Sequence, residues 1–297
     1  MSRVLIFGAD GILGSHLYLG LKDAHDLCVT LHGADGRYPQ RLFDQARVEY
    51  GVAAGESGKV AEVIRAYRPD WVINAVGLVK RDLAIDPFAS LEANTLFPHL
   101  LARLCAENSA KLMHFSTDCV FSGSRGMYRE TDRPDCQDWH GRCKALGEPQ
   151  GAHVLVLRTS FIGLEMACKR SLVEWFLAQQ GVVRGYRKAI WSGLPGIEVG
   201  RLVDFLLRFS SPLNGLWHVA TTPISKYDLL TALNDRLGAR GVTVQADDSF
   251  VCDRSLDGSK FAERTGYIPP SWESLLDELA EDVRCRWVAD APSYWRF

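Results

Sequence analysis

No pair of cysteines in this chain has the spacing of a zinc or redox motif. The eight cysteines fall at positions 28, 105, 119, 136, 143, 168, 252 and 285, with no Cys-x-x-Cys and no Cys/His zinc pattern, which argues against a structural metal. Neither sign of charge dominates. The formal net charge is −2, which gives no electrostatic ground for binding nucleic acid or an anionic membrane surface. No uncharged apolar run approaches the roughly 20 residues that span a bilayer. There is no internal repeat and no low-complexity linker. The opening Met-Ser-Arg leads directly into a strand-like run with no apolar signal segment, so the expectation is a cytoplasmic protein with reduced thiols. What remains is a globular chain of 297 residues, 47% hydrophobic, long enough for one large domain or two packed lobes.

The apolar residues set a rhythm. Val4 to Phe7, Leu27 to Leu31, Trp71 to Val76, Leu112 to Ser116 and Val154 to Leu157 are short apolar runs. Between them Ile12 to Leu21, the stripe Val60, Val63, Ile64 and Tyr67, and Ser90 to Asn108 carry helical spacing. Strands alternating with helices predict an α/β fold of Rossmann type, a doubly wound parallel sheet covered on both faces. After Thr159 the rhythm loosens. Helices are expected at Leu172–Gln179, Ile197–Phe209, Ser225–Leu237 and Trp272–Trp287, with a strand at Leu216–Val219. Six of the eight tryptophans fall in this part. The expected division is a dinucleotide-binding domain over residues 1–160 and a smaller, interleaved C-terminal substrate-binding lobe over 161–297.

Gly8-Ala9-Asp10-Gly11-Ile12-Leu13-Gly14 stands between the first strand and the first helix. Glycines there let the backbone turn tightly and approach a pyrophosphate at the helix N-terminus. The second strand ends Thr30-Leu31-His32-Gly33, with no carboxylate before Asp35. An acidic residue at that place would hold the ribose hydroxyls of NAD. His32 and Arg37 suit a 2′-phosphate instead, so NADP(H) is expected over NAD(H). Asn74, Ala75, Val76 and Gly77, which end the Trp71 run, are expected to flank the cofactor, and Asn94 in the following helix joins them.

Two further segments carry a resemblance. Trp139-His140-Gly141-Arg142-Cys143-Lys144 places His140 four residues before Lys144, one helical turn apart on one face. Ser116-Thr117-Asp118-Cys119-Val120-Phe121 begins where the Leu112 run ends. With the glycine loop, these resemble the extended short-chain dehydrogenase/reductases, and within them the dTDP-4-dehydrorhamnose reductase family, whose signature at the second segment is Ser-Thr-Asp-Tyr-Val-Phe. Leu157-Arg158-Thr159-Ser160, Gly215 to Val219 and Asp253 to Asp257 extend the resemblance over nearly the whole chain. It implies reduction of a nucleoside-diphosphate keto sugar by a nicotinamide cofactor. Thr117 would bind the substrate carbonyl, residue 140 would protonate the alkoxide, and Lys144 would hold the nicotinamide ribose.

The chain departs from the family at residue 140, where the proton-donating Tyr is His. Imidazole exchanges protons near neutrality without the perturbation a phenol needs, but its ring reaches less far. Tyr128 lies 16 residues before Lys144 and cannot share that helix face. For the substrate, expected contacts are Lys80, Asp118, Cys119, Val120, Arg184, Arg187 and Arg254, with Lys169 and Arg170 as further cations for a diphosphate. A second copy of the chain is a possible partner. Two other classes fit the same resemblance. One is an epimerase or dehydratase on this scaffold. The other is a binding protein, since the family includes the regulatory subunit of methionine adenosyltransferase.

Overall fold

The computed structural model describes residues 1–34, 42–79, 86–166, 171–211, 213–238 and 241–286. Asp35, Arg37, Lys80, Lys169 and Arg170, all weighed above, lie outside them, as do residues 287–297 with the expected helix end at Trp287. The strands are β1 (Arg3–Phe7), β2 (Asp26–Thr30), β3 (Arg47–Glu49), β4 (Trp71–Asn74), β5 (Lys111–Ser116), β6 (Val154–Arg158), β7 (Phe161–Ile162), β8 (Gly181–Trp191), β9 (Leu194–Pro195), β10 (Gly215–His218), β11 (Ile224–Ser225) and β12 (Val242–Asp253). The helices are α1 (Ile12–Leu21), α2 (Ser57–Tyr67), α3 (Pro87–Leu91), α4 (Phe97–Glu107), α5 (Trp139–Leu146), α6 (Leu172–Leu177), α7 (Gly196–Arg208), α8 (Lys226–Arg236), α9 (Ser259–Thr265) and α10 (Trp272–Arg286).

Seven strands form one sheet in the order β10-β6-β5-β4-β1-β2-β3, and every neighbouring pair is parallel. The apolar runs become strands because their alternate side chains face two different helix layers. Val4, Ile6, Ile73, Met113, Phe115, Leu155 and Leu157 pack with α1, α7 and α10 on one face. Leu5, Phe7, Val72, Leu112, Val154 and Val156 pack with α2 and α4 on the other. The four-residue stripe read from sequence in α2 is its buried side. The strand order reverses between β1 and β4, which opens a crevice at their C-terminal ends, the usual ligand position in such sheets.

The expected long helix over Ser90–Asn108 begins earlier, at Pro87, where Asp86 caps the N–H groups of Phe88 and Ala89. It also contains a π-helical turn, Glu92–Leu96, between α3 and α4. Beyond Thr159 the main departures are β8 and β12. They pair in parallel, and β11 joins the other edge of β8 antiparallel. The strand expected at Leu216–Val219 is β10, which returns to the edge of the main sheet beside β6.

Candidate active site

The glycine loop fits a dinucleotide because side chains are excluded from it. Gly8 sits at φ 81°, in the left-handed region. A Cβ on Gly8 would lie 2.9 Å from Val76 Cγ2, and one on Gly14 would lie 2.1 Å from the Gly8 carbonyl oxygen. The loop after β1 is therefore pressed against the loop after β4, with α1 close behind. Helix α1 has no side-chain cap and no acidic residue in its first turn. The N–H groups of Ile12, Leu13 and Gly14 precede the first intrahelical acceptor, at the positive end of the helix dipole. That is a cradle for a diphosphate. The Leu13 side chain itself belongs to the core.

The Asp10 side chain holds a backbone partner. Its carboxylate accepts the His32 N–H at 3.0 Å, tying the loops after β1 and β2 together. The His32 residue is exposed. Asn74 and Asn94, expected to flank the cofactor, have their amides engaged in shaping the loop between them. Asn74 Nδ2 meets His114 Nδ1 at 3.0 Å, and Asn74 Oδ1 accepts the Val76 N–H at 3.1 Å. Asn94, fully buried in the π-helical turn, accepts from Leu78 N at 3.0 Å and donates to Leu78 O at 2.9 Å. The segment offers a ligand the backbone and small side chains of Ala75, Val76 and Gly77.

Helix α5 carries the other half of the site. Asp138 caps it by accepting from the Gly141 N–H at 2.9 Å. Two glycines let it approach its neighbours. A Cβ on Gly141 would lie 2.2 Å from the Cys119 carbonyl oxygen, and one on Gly147 would lie 1.9 Å from that of Asn94. Wedged between these backbones, α5 buries both His140 and Lys144. Lys144 Nζ donates to the Phe115 carbonyl at 2.6 Å. Burial brings its ammonium down from 10.5 to about 8, opposed by the nearby Glu148 and Cys119. Two residues beyond Phe115 stands Thr117. Its hydroxyl accepts the Cys119 N–H at 3.1 Å and donates to Asp118 Oδ1 at 3.2 Å.

Several expected substrate contacts are placed otherwise. The Asp118 carboxylate is buried, and its second oxygen accepts from Ser160 Oγ at 2.8 Å. Burial raises its carboxyl above the ordinary range, while hydrogen bonds from Ser160 and Cys119 oppose the rise. The Val120 side chain is fully buried with Phe121, Tyr128 and Leu256. Arg254 does reach the site: Nη1 lies 3.5 Å from Cys119 Sγ, and Nε donates to the Phe121 carbonyl at 2.9 Å. Arg184 and Arg187 do not. They pair with Asp247 and Asp248 across the small sheet. Arg184 also lies seven residues before Trp191, about 23 Å along an extended strand. Tyr128 is stacked on Phe121 with ring centroids 4.1 Å apart, and its hydroxyl receives the Arg125 N–H.

Sequence reasoning missed a buried ion pair beneath the site. Arg158 donates two parallel hydrogen bonds to Glu148, both 2.7 Å, and Ser116 Oγ joins at 2.5 Å. Glu148 closes the α5 motif and Arg158 ends β6, so the pair fixes the helix to the sheet. It also missed Ser160 and Trp191, whose indole N–H donates to Ser160 Oγ. The available signal for Ser160 was its position just past β6, on the same sheet edge as Thr117.

The family model described as the RmlD substrate binding domain matches residues 2–178. A dTDP-4-dehydrorhamnose reductase of Aggregatibacter actinomycetemcomitans is 26% identical, covering 94% of this chain and 98% of that protein. A probable low-salt glycan biosynthesis reductase of Haloferax volcanii is 29% identical over 53% of this chain, which spans about half of that relative's length, 52%. Among solved structures, dTDP-4-dehydrorhamnose reductase from Bacillus anthracis in complex with NADP superposes with a TM-score of 0.76 at 20% identity, covering 94% of this chain and 97% of that one. The Bordetella bronchiseptica enzyme WbmG in complex with NAD gives 0.76 at 18% identity, covering 95% and 94%. With the glycine loop, the Thr117 turn and the Lys144 helix on one edge of a parallel sheet, this chain is a member of the RmlD family of extended short-chain dehydrogenase/reductases.

Proposed function

We propose that the chain is a nicotinamide-dependent reductase of a nucleoside-diphosphate keto-deoxysugar, acting on the 4-keto group in deoxysugar or polysaccharide synthesis. The observation that carries this reading is that Lys144, one turn from His140, is bonded to the Phe115 carbonyl at the end of β5, two residues before Thr117 and two strands from the glycine cradle at the end of β1. When bound, the nicotinamide supplies a hydride. The first-turn N–H groups of α1 hold the pyrophosphate, and Ala75 to Gly77 pack beside it. Thr117 binds the substrate carbonyl oxygen. Lys144, protonated in most molecules at neutral pH given a value of about 8, holds the ribose hydroxyls and stabilises negative charge developing on that oxygen. His140 delivers the proton to it. Arg254, beside Cys119, meets the substrate's diphosphate.

The cofactor we assign is NADP(H). No carboxylate follows β2 over residues 31–34, and His32 is exposed there. Tighter binding of NADPH than of NADH in a fluorescence titration is the expected result, and the reverse order would remove this assignment. We keep the division at residue 160 into cofactor-binding domain and substrate lobe, with β10 returning to the first. No described helix is long and apolar enough to cross a membrane, in keeping with the cytoplasmic placement proposed here.

The histidine at 140 favours one other reading, a protein that binds the same ligands without turnover. The deciding experiment follows NADPH oxidation with a nucleoside-diphosphate 4-keto-6-deoxyhexose, comparing wild type with His140→Tyr. Turnover by wild type, unchanged or reduced in the variant, supports a reductase that uses His140. An inert wild type beside an active variant would establish the binding role instead.

A further inference from the structure

Thr117 has one hydroxyl proton, and in this structure it is already given away. The Cys119 N–H donates to its oxygen, so the proton points at Asp118 Oδ1, 3.2 Å away. For Thr117 to bind a carbonyl oxygen, that proton must turn from Asp118 toward the substrate. The residues behind Asp118 therefore bear on the site. Its other oxygen accepts from Ser160 Oγ at 2.8 Å, and Ser160 Oγ receives the indole N–H of Trp191. Trp191 ends β8 in the small sheet, packs its ring 5.5 Å from that of Trp272, and sits against Gly193, where a Cβ would lie 2.3 Å from the indole. An unbroken line of hydrogen bonds thus runs from the substrate lobe, through a buried carboxylate, to the hydroxyl that meets the carbonyl.

We infer that Asp118 is a positioning residue, held by Ser160 and Trp191, that sets the direction in which the Thr117 hydroxyl donates and so couples the seating of the substrate lobe to the site. The physical reason is competition for one carboxylate. A hydrogen bond from Trp191 polarises the Ser160 hydroxyl and strengthens its donation to Oδ2. Negative charge drawn toward Oδ2 weakens the hold of Oδ1 on Thr117, and the proton is released to the substrate. Without Ser160, Thr117 is the remaining hydroxyl donor to a buried carboxylate, and its proton stays inward. Arg254 faces the same carboxylate from β12's end and favours its charged, accepting form.

This inference rests on the proposed reductase reading for its kinetic arm, and the test has a second arm that does not. Wild type, Ser160→Ala, Thr117→Val and the double variant form a cycle. In turnover, Ser160→Ala is expected to lower kcat about tenfold, the loss of a hydrogen bond to a charged group, with KM for the keto sugar and NADPH affinity unchanged. Ser160→Thr, which keeps the hydroxyl, restores kcat. In the Thr117→Val background the Ser160→Ala loss disappears. An equal loss in both backgrounds would show that Ser160 acts on its own and overturns the inference. The same four proteins are unfolded in urea, where the midpoint shifts of the single variants are expected to be non-additive because both hydroxyls donate to Asp118. Additive shifts overturn the chain whether or not the protein turns over. Coupled unfolding with no turnover by any protein supports the chain and removes the reductase reading, which keeps the two failures distinct.

Discussion

Burial and function pull on Lys144 in opposite directions, and the conflict is measurable. The side chain is 6% exposed, with one donor on the Phe115 carbonyl, and burial lowers its ammonium from 10.5 to about 8. In the unfolded chain a lysine titrates at about 10.4. Below pH 8 both states carry the proton, and the folded protein bears the full desolvation cost. Between about 8 and 10.4 the unfolded state binds more protons, so this group makes stability rise with pH. The fall in pKa corresponds to about 3 kcal/mol at 1.36 kcal/mol per pH unit. About 2 kcal/mol of that is recovered between pH 7 and 9.5. Lys144→Met removes the titration and keeps most of the volume. Urea unfolding of both proteins at pH 7, 8.5 and 9.5 gives the difference in which cysteine and tyrosine titrations cancel. That difference should move toward the wild type by about 2 kcal/mol over the range. Parallel pH curves would refute the argument, since they require a lysine that titrates at its ordinary value.

Two further perturbations follow from close contacts. Gly14→Ala puts a Cβ 2.1 Å from the Gly8 carbonyl oxygen, so NADPH affinity is expected to fall at least tenfold with a stability loss of about 1–3 kcal/mol; unchanged titration curves would mean that the loop does not carry the pyrophosphate. Arg158→Leu leaves Glu148 buried without its partner, and chemical denaturation should show a loss of about 3–5 kcal/mol, partly recovered in the Arg158→Leu/Glu148→Leu double variant.

Where packing is two-sided, the sequence was readable. Strands β1, β4, β5 and β6 are buried on both faces, so their apolar runs stand out, and α1 occupies the range Ile12–Leu21 that its spacing predicts. Strands β8 and β12 escaped for the opposite reason. GVVRGYRKAIW has no apolar–polar alternation, and VTVQADDSFVCD alternates only over its first six residues; both are largely exposed or half-buried, so no long buried face marks them. Arg184 and Arg187 suggest a phosphate site only while Asp247 and Asp248 are out of view. They follow 61 residues after their partner in the case of Arg187. Asp118 and Ser160 are 42 residues apart in sequence and 2.8 Å apart in space. Short-range motifs named Thr117, His140 and Lys144; pairings across the fold decide how each side chain is aimed.

Strand β10 carries one more consequence. It lies late in the chain, after the β8 strand of the small sheet, yet it covers the outer edge of β6. A polypeptide cut at the end of the family match, residue 178, would retain the glycine loop and Lys144 but leave the β6 edge bare. An uncovered edge strand is a template for pairing with another chain. During synthesis the first half must therefore wait for its last strand, with an adhesive edge open until residues 215–218 arrive.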